Sequence, residues 1–268
     1  MKKISIIIPT FNSEKYIKIT LESILQQNYK NYEIIICDNH SSDNTVEIIK
    51  NFSEQYVNKF KIFVRKDLGV ADALNFGFEK SNGDILCWLN SDDLYNDPYT
   101  LQHVIISFNQ SEHKSYLVGN FLNIDSNGSI IRRFYSFIPL SYLDKYFYFN
   151  QIFTGAFFFK KELMNDFNKF DVHYKYAFEY EIIIHCLKNY KGIYINKFLS
   201  SFRILPTALS SNKIELKNEF NKILKKNNLI YSNSIIHKSF IYLMQGVLLN
   251  VVYEKIKFYL KRIIFFKG

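Results

Sequence analysis

The chain has 268 residues, 48% of them hydrophobic and 18% aromatic, with a formal net charge of +9. That is ample apolar material for a core and excludes disorder as the main state. Cys37, Cys87 and Cys186 form neither a disulfide framework nor a zinc spacing, and the apolar run after Met1-Lys2-Lys3 meets Pro9 too soon for a signal peptide, so a reducing cytoplasm is expected.

The elements follow a regular rhythm. Lys3 to Pro9 (KISIIIP) is β-branched and continuous, as a strand buried on both faces should be. Asn12-Ser13 offers a cap for a helix carrying Ile17, Leu21, Ile24 and Leu25. Tyr32 to Cys37 predicts a second strand ending at Asp38, and Ser41-Ser42-Asp43 caps a second helix. Phe60 to Val64, a helix over Ala71 to Phe78, and a fourth strand over Ile85 to Leu89 complete βαβ units with a mainly parallel sheet. Beyond them, Tyr116–Asp125 and Ile130–Tyr135 flank a hairpin turn, Phe153 to Phe159 predicts a strand, and Ala177 to Lys188 a helix.

In open α/β sheets, ligands bind beyond the carboxyl ends of the strands. That rule gathers Pro9-Thr10-Phe11-Asn12, Asp38 and the run Asn90-Ser91-Asp92-Asp93 in one crevice. Asp38 suits hydrogen bonds to a base or ribose, and equally suits capping the Ser41 turn. Asn90-Ser91-Asp92-Asp93 suits Mg²⁺ or Mn²⁺ with substrate phosphates, or else a turn or cap. In Gly69-Val70-Ala71-Asp72-Ala73-Leu74-Asn75-Phe76-Gly77, small residues either admit a ligand to the backbone or pack a helix tightly on the sheet. Asp72 and Asn75 share one face of that helix. Glu179 and Glu181 point in different directions on theirs, so one can serve as a general base while the other makes a structural contact.

Taken in order, SIIIPTFN, IIICDNHSSDNT, GVADALNFG and GDILCWLNSDD, followed by NQIFTGAFFFKKEL, FDVHYKYAFEYEIII and FRILPTALS, resemble the family-2 glycosyltransferases over residues 3 to 212. The resemblance implies an α/β GT-A fold and inverting sugar transfer from a nucleotide-diphosphate donor, with a UDP-sugar favoured. The implied donor site comprises Pro9, Thr10, Phe11, Asn12, Asp38, Asp72, Asn75, Asn90, Ser91 and Arg203. Asp92, assisted by Asp93, would hold Mn²⁺ or Mg²⁺. Glu179 would be the base toward the acceptor hydroxyl and Glu181 its structural neighbour. Three positions depart from the family pattern: Asn90 replaces an aspartate, Glu179 is a methylene longer than the usual aspartate, and Leu205 stands where a histidine is common. Those departures leave a competing expectation, a nucleotide-sugar-binding relative without transfer activity. A nucleotidyltransferase is disfavoured, because PTFNSEKY lacks a glycine-rich, basic loop.

Residues 213–268 hold 11 of the 34 Lys and Arg but 3 of the 25 Asp and Glu. They are expected to form a separate basic, amphipathic helical tail after a catalytic domain over 1–212. From Ile235 onward Gly246, Asn250, Glu254, Lys257 and Lys261 make a narrow polar stripe on an otherwise apolar helix. Such a helix suits either an anionic membrane face or packing on the domain. The expected setting is the inner face of the cell membrane, the expected acceptor a lipid-linked glycan, and nucleic acid is not an expected partner.

Overall fold

A computed structural model of the protein describes residues 1–136, 146–147, 152–206 and 208–231. Strands β1 (Ile4–Thr10), β2 (Tyr32–Asp38), β3 (Phe60–Val64) and β4 (Ile85–Trp88) form a parallel block in the order β3-β2-β1-β4. β1 and β2 are buried almost throughout, as their unbroken isoleucine runs require. Thr10 pairs with Asp38 and Asp38 with Val64, so the carboxyl ends of three strands lie side by side.

The rest of the sheet is mixed. β5 (Leu94–Tyr95), β6 (Tyr116–Ile124), β7 (Ile130–Phe134), β9 (Phe157–Lys160) and β10 (Gly192–Arg203) extend it to nine strands. β9 runs antiparallel to both β4 and β6, while β10 is parallel to β6. The two-residue strands β8 (Tyr146–Phe147) and β11 (Ile230–Tyr231) pair separately. The expected parallel pairing holds through the first four strands and recurs between β6 and β10, while β5, β7 and β9 add antiparallel pairs. The β6–β7 hairpin and the strands β5 and β9 bring in the antiparallel neighbours, whereas β10 returns beside β6 in the same direction after α6.

Helices cover both faces. α1 (Ile17–Leu25), α2 (Thr45–Gln55) and α4 (Thr100–Gln110) pack on one side. α3 (Val70–Glu79), the short α5 (Met164–Phe167), α6 (Glu179–Asn189) and α7 (Lys213–Lys226) occupy the other. α1 starts later than the Asn12-Ser13 cap predicted, because Asn12 takes a left-handed φ of 47° and its side chain accepts the Ser42 amide at 2.9 Å. At Gly77 an added Cβ would stand 2.5 Å from Ile7 Cγ2 and 3.1 Å from Cys37 Sγ. This glycine therefore serves tight packing of α3 on the sheet. Gly69, at φ 123° with open space around it, is instead required by the backbone turn that starts α3.

The boundary expected at residue 212 does not separate α7 from the domain. Leu216, Phe220, Ile223 and Leu224 of α7 are buried in the same core as Trp88 and Phe178. The amphipathic period of α7 meets an apolar groove that only the folded sheet and α6 create. The stripe from Gly246 to Lys261 lies outside the described residues. Among the described residues, no helix is long and apolar enough to cross a membrane.

At the amino edge of the sheet, the buried Glu33 carboxylate accepts from Ser5 Oγ (2.6 Å), the Asn82 amide (2.6 Å) and Lys3 Nζ (2.9 Å), with Lys61 Nζ at 3.1 Å. Burial alone would raise its pKa, but these donors hold it at about 2. Because this lies below the unfolded value, the stabilisation is present above about pH 4.5 and disappears as pH falls toward 2. Glu33→Gln is expected to cost about 2 to 3 kcal/mol at pH 7. Acid titration of thermal stability should then show a shallower fall in the variant than in the native protein.

Candidate active site

Four segments lie at the carboxyl edge of the parallel block or are packed against it. The first is the loop after β1. Thr10 Oγ1 donates to Asp38 Oδ2 at 2.7 Å, Pro9 pairs with Cys37, and Phe11 is 60% exposed at the rim. Asp38 itself is fully buried. Its oxygens also accept the Ser41 amide (2.8 Å) and Ser41 Oγ (2.6 Å), which is the turn-capping arrangement. Asp38 thus shapes the loop on which Phe11 and Asn12 stand.

The second segment follows β3, and its Arg65 was not foreseen from the sequence. Arg65 donates its amide to the Asp38 carbonyl (2.9 Å) and Nη2 to Asp72 Oδ2 (3.0 Å), and its guanidinium lies over the Phe76 ring. Arg65 Nη1 is buried without a hydrogen-bond partner. The cation pair Arg65-Lys66 just past a strand's carboxyl end was the available signal, but only the fold shows the unfilled donor of Arg65. Asp72 is thereby held facing Arg65 and the Leu68 amide (3.2 Å). Asn75, expected at the donor site, makes a structural contact: Nδ2 donates to the Phe170 carbonyl (3.0 Å) and Oδ1 accepts the Phe170 amide (2.8 Å). The side chain stitches α3 to the segment before α6.

The third segment is the turn from β4 to β5. Thr20 Oγ1 donates to the carbonyls of Ser91 (3.0 Å) and Asp93 (2.7 Å), and Ser91 Oγ meets Ser13 Oγ at 2.7 Å. Asp93 corrects the sequence expectation. It is fully buried, with Oδ1 accepting the Arg203 amide (2.9 Å) and Oδ2 accepting Asn90 Nδ2 (2.8 Å). Burial and the neighbouring Asp92 charge push its carboxyl well above the ordinary range. A group so placed braces the turn and presents no ligand outward. Asp92 differs: it is half-buried, and its carboxylate accepts no hydrogen bond from another described residue. Burial raises its pKa, and the charge of Arg203 opposes the rise.

Arg203, expected to bind phosphate, is 2% exposed. Nε donates to the Asp92 carbonyl (2.9 Å), Nη1 to the carbonyls of Asp125 (2.9 Å) and Ser126 (3.2 Å), and the guanidinium stands over Tyr16 at 4.5 Å. Its observed work is to fasten the Asp92 turn to the β6–β7 hairpin.

The fourth segment is the start of α6. Trp88, Phe170 and Phe178 stack edge to face in succession, with centroids 5.8 and 5.6 Å apart, tying α6 to the end of β4. Glu181 accepts the Asp171 amide (3.0 Å) and Lys226 Nζ (3.1 Å). Glu179 is half-buried, and no other described residue donates to its carboxylate. Burial pushes it up to about 7, and the charge of Glu219 adds to the rise. Glu219, on α7, was not anticipated. Its carboxylate accepts the amides of Lys175 (3.0 Å), Tyr176 (2.7 Å) and Ala177 (3.0 Å), immediately before α6.

For a divalent ion, the chemistry of the donors is hard oxygen. Asp92 supplies a carboxylate, and Asn90 keeps its carbonyl oxygen because Nδ2 is engaged by Asp93. Among the described residues no group of three His, Cys, Asp or Glu could hold an ion alone. This set fits Mg²⁺ or Mn²⁺ bound with substrate phosphates and water.

A mixed sheet with a parallel nucleotide-side block and a carboxylate-bearing turn after β4 defines a GT-A-fold protein. The family model for glycosyl transferase family 2 matches residues 5–170, and the chain belongs to that family. The chain is 29% identical over 221 residues to the UDP-Glc:alpha-D-GlcNAc-diphosphoundecaprenol beta-1,3-glucosyltransferase WfgD of Escherichia coli, covering 81% of this chain and 83% of that one. It is 32% identical over 130 residues to an uncharacterized glycosyltransferase of Rickettsia felis, and there it spans 48% of this chain but only 21% of the longer relative. Among solved structures, the mannosyltransferase PcManGT of Pyrobaculum calidifontis, in complex with GDP-Man and Mn²⁺, superposes with a TM-score of 0.63 at 14% identity, covering 84% of this chain and 64% of that one. That likeness shows the fold.

Proposed function

We propose that the protein is an inverting, divalent-metal-dependent glycosyltransferase that moves a sugar from a nucleotide-diphosphate donor, a UDP-sugar in preference, to a hydroxyl of a lipid-linked glycan. The observation that carries this is a contrast among the acids of the crevice. Asp38, Asp72, Asp93, Glu181 and Glu219 all accept hydrogen bonds from neighbours, whereas the carboxylates of Asp92 and Glu179 accept none from another described residue. Those two are left for substrate.

Phe11 at the rim offers a face for the base. Asp92 and the Asn90 carbonyl would hold the metal, which neutralises charge developing on the leaving diphosphate. Glu179 accepts the proton of the acceptor hydroxyl as that oxygen bonds to the anomeric carbon. The bond from that carbon to the diphosphate breaks on the opposite face, and its electron pair leaves with the diphosphate. A carboxyl poised near 7 combines adequate ionisation with adequate basicity at neutral pH.

The name of WfgD supports both the UDP donor and the lipid-diphosphate acceptor, and the Mn²⁺ complex of PcManGT supports the metal. The basic character of residues 213–268 supports a location on the inner membrane face. A binding relative without turnover is favoured by one feature, Asn90 in place of a charged ligand. UDP release from UDP-glucose and UDP-N-acetylglucosamine, with and without Mn²⁺, separates the two. Metal-dependent release supports transfer chemistry, and binding with no release supports the relative.

A further inference from the structure

Glu219 lies on α7, beyond the residues that the family model matches, yet it reaches beneath the start of α6. One carboxylate accepts three successive amides, from Lys175, Tyr176 and Ala177, the residues that lead into Glu179. Three bonds to consecutive amides fix the backbone direction of that segment as a helix cap would, although the carboxylate comes from 42 residues away in sequence. Two further contacts hold α7 in place. Tyr180 and Phe220 meet edge to face at 4.7 Å, and Lys226 pairs with Glu181 at 3.1 Å.

We propose that Glu219 is a positioning residue for Glu179: it sets where the Glu179 carboxylate stands, and its negative charge keeps that carboxylate basic. The proposal rests on Glu179 being the base. The surrounding charges leave Glu219 as the tuner. On α6, Glu181 is paired with Lys226 of α7. Before α6, Asp171 faces His173, and Lys175 is exposed. Among the described residues, Glu219 is the charged neighbour that bears on Glu179. A like charge nearby disfavours ionisation and so strengthens the base. Small misplacement of a base is also costly, since about 1 Å can lose a hundredfold in rate.

The test uses the full chain with ¹³C at the glutamate side-chain carboxyl, the Glu179 signal being assigned by its absence in Glu179→Gln. In the native protein that signal should titrate near pH 7. In Glu219→Gln it should titrate lower by about half a pH unit or more. UDP release from UDP-glucose should move its acidic limb by the same amount, with kcat down about tenfold and donor KM within twofold. An unmoved Glu179 titration, with only thermal stability reduced, overturns the proposal and leaves Glu219 a structural cap. If the signal moves but UDP release ignores it, the base assignment falls while the coupling of the two carboxylates stands. Should Glu219→Gln fail to fold, Glu219→Asp keeps the charge one methylene further away. Native kcat in that variant overturns the proposal, and a tenfold loss at unchanged donor KM supports it.

Discussion

Glu179→Gln is expected to lower sugar transfer by about 10²- to 10⁴-fold while making the protein more stable at pH 8. The first effect follows if Glu179 takes the acceptor proton, because general-base catalysis is typically worth that much. The second follows from its environment. Burial and the Glu219 charge hold its pKa at about 7, above the 4.5 of an ordinary glutamate. For a group raised on folding, the favourable contribution is complete below the unfolded value and is lost as pH climbs through the folded one. Native stability should therefore decline between about pH 4.5 and 7 on account of this group, and the neutral glutamine should escape that decline. A gain of about 2 kcal/mol at pH 8 is the expected size. Thermal melts of both proteins from pH 5 to 8 check it alongside UDP release. A structural carboxylate would behave oppositely, since its removal would destabilise. A residue that gives up stability for activity is the usual mark of a functional site.

Asp92→Ala should abolish the stabilisation that Mn²⁺ confers on the UDP complex. In the native protein, UDP with Mn²⁺ at about a hundred times the dissociation constant should raise stability by roughly 2.7 kcal/mol, a shift of several degrees. With Asp92 removed, the protein keeps one neutral carbonyl, that of Asn90, toward the ion. Metal-dependent UDP binding should then fall at least tenfold, and UDP alone should bind as in the native protein. Asp93→Ala is the contrasting control. Its loss strips partners from the buried Arg203 amide and from Asn90 Nδ2, so the protein itself should melt earlier, by about 1 to 3 kcal/mol for each orphaned group. Loss of metal dependence in Asp93→Ala but not in Asp92→Ala would reverse the assignment of the two carboxylates.

These expectations differ in how far the sequence could supply them. Strands and helices up to residue 89 were legible, because isoleucine runs alternating with amphipathic segments admit few other folds, and the edge rule gathered Asp38 with the Asn90–Asp93 turn. The ordered motifs pointed to the family that the family model then matched. β5 and β10 were not legible, since a two-residue strand has no period and Gly192–Arg203 alternates weakly.

The sequence by itself determined which residue types follow these elements: carboxylates after β2, after β4 and at the start of α6, with Phe11 after β1. It could not say which acids are free, because freedom depends on partners far away in the chain. Asp93 is captured by the Arg203 amide 110 residues on, Asn75 by Phe170 at 95 residues, and the entry to α6 by Glu219. Each capture is a hydrogen bond that exists only once sheet and helices have brought its two ends together. Desolvation in that packed setting, and no local pattern, places Glu179 near neutrality and turns Asp93 inward.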